Sequence, residues 1–66
     1  MKTKFIISTG GVPYIAWTPE GALCKAALMI YFGPRQISEY REALKNGREV
    51  TIVYGFKSVT ITPEAA

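Results

Sequence analysis

Read for polar and apolar positions, the chain falls into four short strand-like runs, the last two cleanly alternating, and two longer helical segments, of which the second shows a clear apolar stripe. Residues 4–8, KFIIS, are a β-branched run that reads as a strand, and residues 12–17 return as a second. Gly10-Gly11 between them is a two-residue hairpin signal, because glycine takes φ > 0 without steric cost. Pro13 has no N–H, so the returning strand is an edge strand or begins pairing only at Tyr14. Val12, Tyr14 and Ala16 alternate with Ile15 and Trp17, leaving both faces partly apolar, and the pattern does not choose the inner one.

Residues 18–32, TPEGALCKAALMIYF, predict a helix around which the rest is organised. Thr18 suits the N-cap, Pro19 the first helical position, and Glu20 places negative charge at the positive helix end. Trp17 is placed to pack on Ala22 as a hydrophobic staple. Gly21 weakens the first turn by about 1 kcal/mol relative to Ala. From Ala22 onward only Lys25 is polar, so no solvent-facing side is evident. Such a helix is the hub of the core or part of a subunit interface. Gly33-Pro34 stops it, since the residue before Pro disfavours the α region.

A second helix follows. Ile37, Tyr40 and Leu44 fall at i, i+3 and i+7, with Ala43 alongside. Arg35, Glu39, Arg41, Glu42 and Lys45 lie outside that stripe, with Arg35 and Glu39 spaced as an i,i+4 ion pair. Asn46-Gly47 is a C-terminal stop. In residues 49–54, Val50, Ile52 and Tyr54 alternate with Thr51 and Val53; in residues 57–62, Val59 and Ile61 oppose Ser58, Thr60 and Thr62. Gly55-Phe56 joins them as a second hairpin, Pro63 is expected to stop the last strand, and residues 64–66 to fray.

The expected fold is one α+β domain over residues 1–66, β-β-α-α-β-β, an antiparallel sheet with two helices on one face. The expected core is Phe5, Ile7, Leu23, Ala27, Ile30, Ile37, Leu44, Val50, Ile52, Val59 and Ile61. Nothing local dictates how the two hairpins pair with each other.

Length sharpens this reading. A chain of 66 residues buries only about 60% of its unfolded surface, so it has little stability in reserve. A single cysteine, Cys24, rules out an internal disulfide, and one Cys without His cannot supply an N/S zinc site. Good packing or self-association remains. Cys24, inside the apolar helix, reads as a small buried side chain, as in a reducing compartment. Residues 5–7 are too few for a signal-peptide core, and no window reaches the ~20 apolar residues that span a bilayer. A cytoplasmic protein with no membrane partner is expected.

Catalytic equipment is sparse. There is no His and no Asp, so the commonest general base is missing, and no residue pattern activates Ser38 or Cys24. No enzyme and no cofactor is expected. Gly10-Gly11 leads into a strand rather than a helix and is no phosphate loop.

Two features can carry binding. The hairpin tip sets Tyr54, Phe56 and Lys57 together as candidate anchors for a larger protein partner. Met29, Tyr31 and Phe32 are the candidates for self-association with a second copy. Alternatively, the net charge of +3, with Arg35, Arg41, Lys45 and Arg48 in the second half, suits nucleic acid. Four Glu in the same half interrupt any basic stripe. The leading expectation is a non-catalytic regulator that inhibits or redirects a larger protein, a type that viruses and mobile elements encode. The residues match no motif with a defined role.

Overall fold

A computed structural model describes residues 2–65; Met1 and Ala66, including the last residue of the expected frayed tail, lie outside the described residues. The order is β1 (Thr3–Ser8), β2 (Tyr14–Ala16), α1 (Pro19–Ala27), α2 (Pro34–Lys45), β3 (Val50–Tyr54) and β4 (Lys57–Ala65). The expected β-β-α-α-β-β order is the observed one. All pairings are antiparallel and the strands lie in the order β2-β1-β4-β3. Each hairpin therefore keeps its own partner, and β1 joins β4 at the centre of the sheet. The molecule is a thin slab, 16 Å across its shortest Cα extent, with one layer of helices on one layer of sheet.

Phe5, Ile7, Ala16, Val50, Ile52, Val59 and Ile61 project from the strands to meet Ala22, Leu23 and Ala26 of α1, Leu44 of α2, and Ile30 and Phe32 between the helices. Period two puts each of these strand residues on the same face of the sheet. Lys4, Ile6, Ser8, Ile15, Thr51, Val53, Ser58, Thr60 and Thr62 occupy the other face, which no helix covers.

The start of α1 follows the sequence. Thr18 is extended at φ −137°, and its Oγ1 accepts a hydrogen bond from the Gly21 N–H at 2.9 Å. Its end does not. The helix stops at Ala27, and residues 28–32 unwind through a turn in which Met29 and Ile30 N–H groups both donate to the Ala26 carbonyl. A helix continued to Phe32 would have sent apolar side chains in every direction. Unwinding alternates them instead: Ile30 and Phe32 go into the core, while Leu28 and Tyr31 stay outside. Cys24 is exposed on this shorter helix rather than buried.

Helix α2 begins at Gly33-Pro34, where Gln36 Oε1 accepts from the Gly33 N–H at 2.8 Å. Its end uses Gly47 at φ +78°, which lets the Arg48 N–H return to the Ala43 carbonyl at 2.9 Å. The expected core residues Ala27 and Ile37 are both exposed, and Ala16, Ala22, Ala26 and Phe32 take their place. Small alanines let α1 sit close to the sheet, which draws the core toward its Ala22–Leu23–Ala26 face. Among the described residues the one ion pair is Lys4–Glu64 at 3.5 Å, so Arg35 and Glu39 do not form theirs.

One turn and one strand end also differ from expectation. Pairing resumes only at Ile7↔Tyr14, so residues 9–13 form a longer loop than a two-residue hairpin. Pro13, without an N–H, holds off the ladder until Tyr14. At the other end β4 runs through Pro63, which pairs with Phe5, and continues to Ala65. Position 63 would direct its N–H toward the β3 side, and β3 pairs only as far as Val50↔Ile61. The proline therefore sacrifices no ladder bond.

Candidate functional site

The β3–β4 hairpin closes at Tyr54↔Lys57 around Gly55-Phe56. Gly55 has φ +64° and Phe56 does not have positive φ, the glycine-first two-residue turn that suits the twist of paired strands. That geometry puts Phe56 at the apex, where its side chain is wholly exposed. Tyr54 shares a face with Val50 and Ile52 but lies beyond the cover of the helices and is 60% exposed. Lys57 is exposed beside it.

The unwound end of α1 comes to this tip. Tyr31 meets Tyr54 edge-on, ring centroids 5.6 Å apart at 61°. Leu28, 81% exposed, and Met29, half-buried, line a surface depression of about 510 Å³ together with Thr9, Phe56, Lys57 and Ser58. Tyr54, Phe56, Lys57, Met29 and Tyr31, drawn from two separate sequence features, thus gather at one end of the molecule. Leu28 belongs with them; it lies in the same apolar run as Met29 and Tyr31 but is not among the candidates. The third self-association candidate, Phe32, does not join. It is a core side chain, 8% exposed, with its ring 5.8 Å from that of Tyr40.

The basic residues are spread along α2 and the loop after it, with Arg41 and Lys45 at i,i+4 spacing on one side of the helix. Arg35 and Lys45 stand ten residues apart on α2, about 15 Å along its axis. Arg41 lies at the rim of a small apolar groove of about 230 Å³ between the helices, which Glu20 also borders. Arg48 is in the loop before β3. Glu39, Glu42 and Glu49 are exposed among them. Among the described residues no three His, Cys, Asp or Glu side chains gather as metal ligands, and no helix is long and apolar enough to cross a membrane.

What the tip can do is offer apolar and aromatic surface on a two-residue turn, with one cation at its edge. The sequence matches no protein-family model and no curated protein, and the fold matches no solved structure.

Proposed function

We propose that this chain is a non-catalytic binding protein that docks its β3–β4 tip onto a larger protein, and so inhibits or redirects it. The observation that carries this reading is Phe56, a wholly exposed aromatic held at a two-residue turn and flanked by Leu28, Tyr31, Tyr54 and Lys57. Exposed rings on a short hairpin lose little conformational freedom on binding, which is why aromatic anchors so often dominate interfaces. Phe56 is the anchor, the Tyr31–Tyr54 pair a firm shoulder, and Lys57 a charge that favours an acidic rim on the partner.

Affinity capture from the source cell, followed by mass spectrometry, identifies the partner; titration with Phe56→Ala and Lys57→Glu then tests the site. Phe56→Ala is expected to cost about 2 kcal/mol, roughly 30-fold in Kd, at unchanged fold. Lys57→Glu is expected to weaken binding and reverse its salt dependence. If both variants stay folded and hold the partner undiminished, the tip is not the docking surface.

A further inference from the structure

The sheet has two edges, and they are unequal. Edge strand β2 is three residues long and follows Pro13, two devices that discourage pairing with another chain. Edge strand β3, VTIVY, has five residues and contains no charge, no proline and no glycine. Its hairpin closes on Tyr54↔Lys57, and a two-residue turn closes on a hydrogen-bonded pair. Val50, Ile52 and Tyr54 therefore direct their N–H and C=O groups to β4, and Thr51 and Val53 direct theirs outward. No turn, loop or cap hydrogen bond among the described residues takes up those outward groups.

We infer that the β3 edge pairs with β3 of a second copy, antiparallel and centred on Ile52, making one continuous eight-stranded sheet. The strand is self-complementary in this register. Thr51 meets the second copy's Val53 and Val53 its Thr51, so the outward groups of both copies are all used in four inter-chain hydrogen bonds. A shift of two residues in either direction strands half of them. On the helix side Ile52 faces Ile52 and Val50 faces Tyr54; on the open side Thr51 faces Val53. No like charges are opposed, because residues 50–54 carry none. Such a two-fold interface repeats one patch on both subunits, as closed dimers do. It covers Val53 and Tyr54, 66% and 60% exposed in the single chain. The two Phe56 tips emerge at opposite ends of the seam and stay free, whereas Tyr54 is shared between the seam and the docking surface proposed above. Phe56→Ala, which removes the docking anchor and leaves the seam intact, separates the two.

The seam is short, and association is expected to be weak. Sedimentation from low micromolar to near-millimolar concentration is expected to show a rise from 7.3 kDa to twice that mass. Over the same range, hydrogen exchange at the Thr51 and Val53 amides is expected to slow, while Val50, Ile52 and Tyr54 stay protected throughout. Thr51→Lys with Val53→Lys, and Thr51→Glu with Val53→Glu, are each expected to remain monomeric, and their mixture to dimerise, because the register opposes 51 to 53. Phe56→Ala is expected to dimerise like the wild type. A wild-type monomer across the whole range overturns the inference and leaves the edge to solvent or to a strand of another protein. So does a dimer whose Thr51 and Val53 amides still exchange freely, or a Lys–Glu mixture of folded variants that stays monomeric. Should the charged variants not fold, exchange on the wild type decides alone.

Discussion

Thr18 and Gly21 show how two residues can share one job. The Thr18 hydroxyl accepts the Gly21 N–H, and a Cβ built on Gly21 would stand 3.0 Å from that same Oγ1. Glycine is thus the residue that leaves the cap room, and its helix-propensity cost of about 1 kcal/mol is the consequence. Thr18→Ala is expected to cost about 1 kcal/mol in urea unfolding, the usual value of a lost N-cap. Gly21→Ala in the native background is expected to gain far less than its propensity allows, because the new methyl displaces the capping hydroxyl. In the Thr18→Ala background the same substitution is expected to recover nearly the full ~1 kcal/mol. Additive effects would show that the cap and the glycine are unrelated.

At the scale of elements, what could be read from the sequence was what neighbours in sequence decide. Thr18-Pro19 starts α1, Asn46-Gly47 ends α2 and Gly55 turns the last hairpin, each through a local backbone requirement, while Gly33-Pro34, expected to stop α1, opens α2 instead. The end of α1 was not legible, because residues 28–32 carry no stop signal before Gly33 and the burial of Ile30 and Phe32 unwinds them. Ile37 misled for a related reason: it begins a correct helical stripe, but only Leu44 on that stripe is buried. The tip was half legible. Tyr54, Phe56 and Lys57 are adjacent in sequence, whereas Leu28, Met29 and Tyr31 reach them only because α1 stops early. The contrast is measurable in two neighbours. Phe32→Ala is expected to cost about 3–5 kcal/mol, since it empties a core site beside Tyr40. Leu28→Ser is expected to stay within about 0.5 kcal/mol of wild type, since that side chain packs on little. A large loss for Leu28→Ser would restore it to a buried helical position.

At the scale of the whole molecule, the decisive pairing is the one no local signal specified. Six residues of β1 match six of β4, from Thr3↔Ala65 to Ser8↔Thr60, and they join the first hairpin to the last across the entire chain. The two hairpins then share one core through Ile7 and Ile61, each without exposure, and neither has an apolar layer of its own. Loss of either hairpin uncovers the helices, so unfolding is expected to be all-or-none. Trp17 lies just after β2 and reports the first hairpin by fluorescence, while far-UV circular dichroism reports α1 and α2. The two urea transitions are expected to coincide at low concentration, and separate midpoints would show that the hairpins unfold as independent units. Repeating the experiment near millimolar concentration adds the second copy. If β3 pairs with β3, both midpoints rise together with concentration, because association stabilises only the folded chain. A midpoint fixed over that range would mean that the unpaired edge of β3 stays in water.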